Sequence, residues 1–577
     1  MTVGLAARIA DHPVRVNRPG DELIDPDLFR SKHFQLGISQ QIALGGAMIT
    51  LPIYLQMVLE YNALQAGLSI APLSLSMFAI AMVAAPTARK STPRKSTPRT
   101  RKSAPKTAAA EPAPAPPLPS KAERAAYGKS VRQQVPLGAH AELVTCNGGS
   151  DPVALLESQS ATRVPELVPI RYGRMLVSAF TFYRGAALIM ADDLAQGPRT
   201  ELVTQLCGDA HLSNFGVFAS PERRLVFDLN DFDETHPGPF EWDVKRLAAS
   251  LEIAGRDNGY SGKQRRSVVL SAVNAYRRAM REFAGQSNLV VWYAHQAVQP
   301  GLPGLSAVQS QKTRRTVQET LDEARMRDNL GSLKKLTELA DGHLRFVSKP
   351  PLVVPARDLP IDIEAMENLS SWMTDVLHKY SESLQSDRRH LIHQYKFVDL
   401  ARKVVGVGSI GTRAWIMLLS GIDDQDPLLL QAKEANASVL EAYTSPTPFS
   451  SHGERVVQGQ RLMQAYGDVL LGWHYFPNSP RPDYYVRQLR DWKGSIEIST
   501  LDPKSLAMYA GYCAWTLARA HARSGDRVAI ASYLGGKDAF DQAIADFSAA
   551  YADKNERDFA RLENAAAAGQ IAVERGF

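Results

Sequence analysis

The chain has 577 residues, too many for one hydrophobic core, and this length suggests roughly two to four domains. Its three cysteines are too few for a disulfide framework and lack the spacing of a metal site, so a reducing cytosol is expected: Cys146, Cys207 and Cys513. The net charge of +6 comes from one basic run that contains eight Lys and Arg residues. The rest of the chain is nearly neutral, with 58 basic and 60 acidic residues. This distribution argues against a specific nucleic-acid-binding surface.

The first 88 residues differ in composition from the rest. Residues 1–33 are polar, and two stretches without a charged residue follow, Phe34–Leu59 and Tyr61–Ala88. Each is long enough to cross a bilayer as a helix, so we predict a transmembrane helical hairpin over residues 34–88. Basic residues on both sides place its ends in the cytoplasm, with the rest of the chain a cytoplasmic domain attached to the inner membrane. A buried hairpin in a soluble domain is the alternative.

The hairpin sequence LGGAMITLPIYLQMVLEYNALQAGLSIAPLSLSMF resembles one helical hairpin of a drug:proton antiporter of the major facilitator superfamily. The resemblance is limited to this fragment, and the other helices that such a transporter needs are missing. We therefore interpret it as a membrane tether or as a fusion relic rather than as a transporter.

Residues 89–120 form a basic linker rich in Pro and Ala, with a repeated KSTPR motif. Such a composition cannot bury much apolar surface, so the linker is predicted to be disordered. The remaining residues, 121–577, contain the motifs that carry chemistry.

Two polar segments, Gly208–Asn214 and Asn230–Asp233, flank a predicted strand, Leu225–Leu229. Each segment alone is compatible with ordinary turn chemistry. Together they supply the groups of a phosphoryl-transfer site: one carboxylate that orients a hydroxyl, with amide and carboxylate oxygens that hold Mg²⁺. The candidates are Asp209 as the catalytic carboxylate, His211 as a brace of the catalytic loop, and Asn214, Asp231 and Asp233 as metal ligands.

The sequence CGDAHLSNFG followed by LNDFDE resembles the catalytic loop and metal-binding segment of aminoglycoside and choline phosphotransferases. Cys207 departs from the pattern, because those proteins usually carry a histidine there. The resemblance implies a protein-kinase-like fold, and it implies that Asp243, at the start of the next helix, braces the catalytic loop. An N-terminal helix carboxylate without this role is the alternative reading of Asp243.

A second informative stretch, Val404–Ala435, contains the pattern G-x-G-x-x-G at Gly406, Gly408 and Gly411. A dinucleotide-binding fingerprint needs a helix directly after it, whereas a kinase-type phosphate loop needs two strands, the second carrying a lysine. The segments RAWIMLL and LLLQAK favour strands, with Lys433 as the lysine that binds phosphate. Glu454, on the next predicted helix, is the candidate partner of Lys433, and Glu441 competes for this role.

Six motifs together resemble the bacterial family of domain of unknown function 2252: RGAALIMADDLA, CGDAHLSNFG, FDLNDFDETHPGPFEWDVKRLAAS, VVGVGSIGTRAW, YYVRQLRDWKGS and LARAHARSGD. This resemblance brings no established activity. The segments of the predicted domain are a catalytic-loop part (121–260), a helical layer (261–395), a glycine-loop and lysine lobe (396–500) and C-terminal helices (501–577).

The predicted fold class is therefore α+β, a two-lobed protein-kinase-like fold with a large helical layer. Because the catalytic loop precedes the glycine loop, the order suggests a circular permutation of the kinase arrangement. We expect an ATP- and Mg²⁺-dependent phosphotransferase with an unknown small-molecule or protein hydroxyl acceptor. The sequence does not distinguish transfer of a phosphoryl group from transfer of AMP. The alternatives are a non-catalytic nucleotide-binding or scaffold protein at the membrane and a dinucleotide-binding oxidoreductase.

Overall fold

The computed structural model of the chain describes residues 119–144, 150–297, 329–340, 343–360, 368–404, 406–423, 425–476, 481–489 and 493–576. The predicted segments 1–33 and 34–88 and most of the linker 89–120 lie outside these ranges. Within the described residues, no helix is long and apolar enough to cross a membrane.

The described part begins with a series of helices: α1 (Lys121–Gln134), α2 (Pro152–Ser160), α3 (Val168–Met175), α4 (Ala179–Gly185) and α5 (Ala187–Gln196). Polar caps fix their starts, since Ser120 and Glu123 form a capping box on α1 and Asp151 caps α2 ahead of a proline. The apolar faces of the later helices pack around buried Leu156, Tyr172 and Phe182. These helices form one wall of the site described below.

Four short strands follow: β1 (Val203–Leu206), β2 (Phe215–Ala219), β3 (Leu225–Leu229) and β4 (His236–Pro239). Strands β1 and β4 pair antiparallel, and so do β2 and β3. The predicted strand at Leu225–Leu229 is confirmed. Each predicted polar segment connects one strand pair to the other, so the two segments leave the strands side by side.

Three helices and a short strand come next: α6 (Phe240–Asp257), α7 (Gly262–Phe283), α8 (Asn288–Tyr293) and β5 (Gln296–Ala297). Helix α6 carries Glu241 and Asp243 in its first turn, where carboxylates are favoured by the helix dipole. It is buried along nearly its whole length, which fixes the residues of its first turns against the polar segments.

The region predicted as a helical layer, 261–395, also contains strands. Helix α9 (Asn329–Leu336) leads into β6 (Thr337–Ala340), which pairs antiparallel with β7 (His343–Phe346). Within the range predicted as a helical layer, Thr337–Ala340 is therefore a strand and not part of a helix. The reason is tertiary, because Phe346 is buried in an apolar cluster with core residues of the large sheet, and such packing overrides helix propensity.

A six-stranded antiparallel sheet dominates the second half of the described chain. Its elements, with the helices between them, are β8 (Val353–Pro355), α10 (Leu369–Glu382), α11 (Ser386–Ile392), β9 (Lys396–Lys403), β10 (Ala414–Ser420), β11 (Pro427–Ala435), α12 (His452–Met463), β12 (Gly472–His474) and β13 (Asp483–Gln488). The strand order is β12-β13-β11-β10-β9-β8. The two strands predicted after the glycines, the second of which carries Lys433, are confirmed.

The two faces of this sheet bury different clusters, as expected for alternating side chains along a strand. Met417, Leu419 and Leu430 pack in the cluster that includes residues of α10. Ile416 and Leu429 point to the other face, in the cluster of Phe346. Lys433 belongs to this second face, at the end nearest to the polar segments.

The chain ends in three helices: α13 (Pro503–Ser524), α14 (Arg527–Leu534) and α15 (Ala539–Ala567). Helix α13 shares the largest apolar cluster with α6 and α7, through residues such as Leu247, Tyr276 and Leu517. The described part is thus an α+β structure in which the polar segments lie between a helical half and the six-stranded sheet.

Candidate active site

The first polar segment is held in a tight turn. Gly208 has φ +82°, and a Cβ there would lie 2.1 Å from the carbonyl oxygen of Glu234, so only glycine fits. Asn214 Nδ2 donates to the main-chain oxygen of Asp209 at 2.6 Å. The side chain of the predicted metal ligand thereby fixes the backbone of the predicted catalytic residue.

The Asp209 carboxylate is paired with a guanidinium that the sequence reasoning missed. Arg246 donates to Asp209 Oδ1 from Nε at 2.9 Å and from Nη2 at 2.7 Å. The guanidinium lies 3.9 Å from the ring centroid of Tyr183 and also donates to that residue's carbonyl oxygen. Arg246 follows Asp243 by three residues on α6, and this spacing on one helix face was the available signal.

His211 is a neutral neighbour of Asp209. Burial, the largest cause, lowers the pKa of His211 to about 3, although the negative charge of Asp209 opposes this. Its Nδ1 accepts the N–H of Ser213 at 3.2 Å, so Nε2 carries the proton and faces Asp209 Oδ2 at 3.6 Å. This arrangement fits the predicted role of a brace.

Asp243 holds the catalytic segment through its backbone. Its two carboxylate oxygens accept the N–H groups of Cys207 at 2.7 Å and Gly208 at 3.0 Å. His521, near the end of α13, lies 3.2 Å from the same carboxylate. The bracing contact implied by the resemblance is present, and Cys207 contributes to it with its main chain.

The second polar segment meets Lys433. The ammonium group lies 2.6 Å from Asp233 Oδ2 and 3.5 Å from Asp231 Oδ1, and the lysine side chain is only 3% exposed. Tyr485 and Ser409 also donate to the Asp233 carboxylate, at 2.5 and 2.9 Å. Two segments about 200 residues apart in sequence therefore converge on one cluster of charges.

The two carboxylates of this cluster differ in their hydrogen bonds. Asp231 Oδ1 is buried and has no hydrogen-bond partner among the described residues. Burial and then the charge of Asp233 raise the pKa of Asp231, whereas Lys433 and Tyr485 outweigh burial and lower the pKa of Asp233. An oxygen with unused acceptor capacity beside a second carboxylate suits a divalent cation.

Within the described residues, no group of three His, Cys, Asp or Glu side chains is arranged to hold a metal ion. Asp231, Asp233 and Asn214 nevertheless line the same cavity. Mg²⁺ is commonly held by one or two carboxylates together with water and phosphate oxygens, so this donor set fits it.

The glycine turn lies over the same cavity. Gly406 and Gly408 line it, whereas Gly411 does not and instead forms a tight turn with φ +89°, packed against Arg163. The turn is followed by strand β10 in an antiparallel sheet. A dinucleotide-binding fingerprint requires a helix at this position, so the glycine pattern here lacks that element.

The structure does not bring Glu454 to Lys433. Its carboxylate accepts from Ser450 at 2.8 Å. The next residue on α12, Arg455, points to the site instead and donates to the main-chain oxygens of Asp233 and Asn436, each at 2.8 Å. Consecutive helical residues point in different directions, and local periodicity did not determine which of the two faces inward. The competing Glu441 accepts from the N–H of Thr447.

The cavity has a volume of about 440 Å³ and is lined by both segments. Its lining includes Asp209, His211, Asn214, Asp231, Asp233, Gly406 and Gly408, and also Arg163, Arg184, Glu234 and Glu434. Arg184 Nε is buried without a hydrogen-bond partner among the described residues. The cavity thus combines a wall of carboxylates with two guanidinium groups, which is a suitable environment for a metal-bound phosphate chain.

Residues 163–565 match the family described as an uncharacterized protein conserved in bacteria, DUF2252. The match spans more than half of the chain. The chain belongs to the DUF2252 family. No curated protein and no solved structure matches it. In this DUF2252 chain all the candidate site residues, from Asp209 to Glu454, lie within the matched range, whereas the predicted hairpin and the linker lie outside it.

Proposed function

We propose that the chain is an ATP- and Mg²⁺-dependent phosphotransferase with a two-lobed, protein-kinase-like fold. The observation that carries this proposal is that Asp231 and Asp233, which pair with the buried Lys433, line the same cavity as Asp209, Gly406 and Gly408. Phosphoryl transfer needs these groups in one place, because catalysis depends on positioning and on charge stabilisation around the phosphates.

The order of elements in the sheet supports the kinase-like interpretation. Strand β9, the glycine turn and β10 form a hairpin, β11 carries Lys433, and α12 precedes β12 and β13. In protein kinases a glycine-rich loop covers the phosphates, the lysine lies on the third strand, and a helix follows. The present sheet has the same succession, with one added edge strand, β8.

A contact between distant parts of the chain supports the circular permutation. The side chain of Ser524, at the end of α13, accepts the N–H of Gln205 on β1 at 3.2 Å, although 319 residues separate them. A Cβ on Gly525 would lie 2.5 Å from Thr204 Cγ2. In the kinase order a helix leads into the catalytic loop, and here the end of α13 lies beside the strand that leads into it.

The geometry suggests a role for each group. Asp209, held by Arg246 and Asn214, orients the acceptor hydroxyl through its remaining oxygen. Asn214 and Asp231 would hold Mg²⁺, with Asp233 assisting, and the ion would neutralise charge that develops on the phosphates. Lys433 binds phosphate oxygens, and the Arg163 and Arg184 guanidiniums increase the positive potential of the opposite wall.

The test compares the full-length chain with Asp231→Asn and with Asp387→Asn, a control whose side chain is 61% exposed. ATP affinity is measured by calorimetry with and without Mg²⁺, and ATP turnover by formation of ADP. We expect Mg²⁺-dependent binding and turnover in the parent chain and the control, and loss of turnover in Asp231→Asn. Absence of Mg²⁺-dependent ATP binding in the parent chain would overturn the proposal.

A non-catalytic nucleotide-binding protein is the second candidate, and one observation favours it. Lys433 is paired with the aspartates rather than with a helix glutamate, and active kinases need that lysine–glutamate pair. ATP binding without turnover, whatever hydroxyl acceptor is supplied, would support this candidate. Transfer of AMP would instead release pyrophosphate and form no ADP, so measuring pyrophosphate in the same reactions distinguishes it.

We also propose that residues 34–88 attach this domain to the inner membrane. Their composition supports the proposal, since the two uncharged stretches are each long enough to span a bilayer. Fractionation of cells that express the full chain or a chain lacking residues 1–88 tests it. Recovery of the full chain in the soluble fraction would contradict it.

A further inference from the structure

A second cavity lies on the opposite face of the six-stranded sheet, beneath α10. Its volume is about 440 Å³. Along β11 the residue Ala432 lines it, whereas the adjacent Lys433 faces the aspartates. Along β13 the same alternation places Tyr484 in this cavity and Tyr485 on Asp233. The two cavities are therefore separated by a single sheet.

Aromatic rings form much of the wall. Trp372 and Phe476 are parallel within 3°, with ring centroids 6.2 Å apart, and Trp415 and Tyr484 lie among the other lining residues. The only formally charged side chain of the lining, within the described residues, is Arg481, whose guanidinium lies 5.5 and 5.1 Å from the centroids of Trp372 and Phe476. Flat rings favour stacked or edge-on contacts with other rings.

One buried polar atom in this wall has no partner. His474 is only 5% exposed and lines the cavity, and its Nε2 makes no hydrogen bond among the described residues. Burial, with a smaller effect of Lys379, lowers the pKa of His474 to about 4, so the imidazole is neutral near pH 7. A buried polar group normally has a partner, and an unpartnered one in a cavity marks the position of a missing hydrogen-bonding group.

We propose that this cavity binds a flat, uncharged aromatic molecule with one hydroxyl group, its rings against Trp372 and Phe476 and its hydroxyl on His474 Nε2. A hydroxyl both donates and accepts, so it satisfies either tautomer of the imidazole. The volume lies within the range of about 300–1,000 Å³ that is typical of small-molecule pockets. This binding site is independent of the proposed phosphotransferase activity.

The test uses two matched probes, 2-naphthol and naphthalene, which differ by the hydroxyl alone. Affinities for the full-length chain are measured by equilibrium dialysis. We expect 2-naphthol to bind about fivefold more tightly than naphthalene, the contribution of one neutral hydrogen bond. His474→Leu should bind both probes equally, because it removes the partner and keeps an apolar wall.

A second variant tests the cavity even if His474→Leu does not fold. Trp372 is 40% exposed, so Trp372→Ala should fold, and it should weaken both probes by a similar factor. Equal affinity of the parent chain for the two probes, no binding of either, or a preference for 2-naphthol that persists in His474→Leu would each overturn the proposal.

Discussion

Asp228 and Asp231 lie three residues apart, and each is paired with a cationic side chain. They differ in whether a carboxylate oxygen is left without a hydrogen bond and is available to a ligand. Asp228, 1% exposed, accepts two hydrogen bonds from Arg519 at 2.6 and 2.8 Å and two from main-chain N–H groups. Asp231 faces the cavity and keeps an oxygen without a hydrogen bond in the described part of the chain. Asp231 is also more exposed, at 34% of its side chain, so hydrogen-bond saturation and burial together separate the structural aspartate from the candidate ligand.

The structural half of this comparison predicts the largest effect. Arg519→Met leaves the Asp228 carboxylate buried without its cation, so we expect unfolding free energy to fall by about 3–5 kcal/mol. Urea denaturation measures it, with Arg388→Met, at a 37% exposed side chain, as the control. A loss below about 1 kcal/mol, within the range of ordinary surface substitutions, would remove the distinction between the two aspartates.

The functional half predicts the opposite pattern for Asp231→Asn. Because burial and Asp233 already disfavour the charged form, we expect unfolding free energy to stay within about 1 kcal/mol of the parent chain. ATP turnover should fall on the order of 100-fold or more, as when a charge-stabilising group is removed from an active site. Denaturation and ADP-formation assays on the same sample check both, and a destabilisation equal to that of Arg519→Met would mark Asp231 as structural.

Asp243 is an intermediate case, because its carboxylate oxygens are hydrogen-bonded like those of Asp228 but hold the backbone next to Asp209. In Asp243→Asn the two N–H groups of Cys207 and Gly208 lose their charged acceptor, so we expect a loss of about 1.5–3 kcal/mol. Turnover should also fall, because Asp209 follows directly on the braced backbone. A variant with full turnover would show that the brace is not needed for positioning.

The smallest effect concerns Glu234, a neighbour in the cavity. Burial raises its pKa from 4.5 to about 7. Between these two pH values the folded chain holds a proton that the unfolded chain has lost, so stability falls as pH rises through this window. Glu234→Gln should remove about 1–2 kcal/mol of this pH dependence, allowing for partial exposure. Thermal unfolding at pH 5 and pH 7 checks it, and an unchanged slope would contradict the shift.

Much of the candidate site could be predicted from the sequence, because its strands, turns and helices depend on residues that are close together in the chain. The two strands after Gly411, the strand before Asn230 and the helix that carries Asp243 depend on neighbouring residues, and the structure has each of them, although that helix already begins at Phe240. The partners of the charged groups were not readable. Arg246 holds Asp209, and Arg455 rather than Glu454 faces the site, because side-chain pairing depends on tertiary packing.

The same limit explains the strands in the region expected to be helical. The segment Thr337–Ala340 has a helix-compatible composition, and its strand state depends on pairing with β7 and on the burial of Phe346. Such contacts join residues far apart in sequence, and a single sequence does not report them.

The position of Lys433 has a consequence for how the cavity fills. Its ammonium group acts as a resident counter-ion for two carboxylates, so a bare divalent ion that arrives alone must displace it and leave a buried positive charge without a partner. An ion that arrives already complexed with an anionic chain brings a replacement partner for the lysine. Under the proposed function, we therefore expect metal and polyanion to bind together rather than the free metal first.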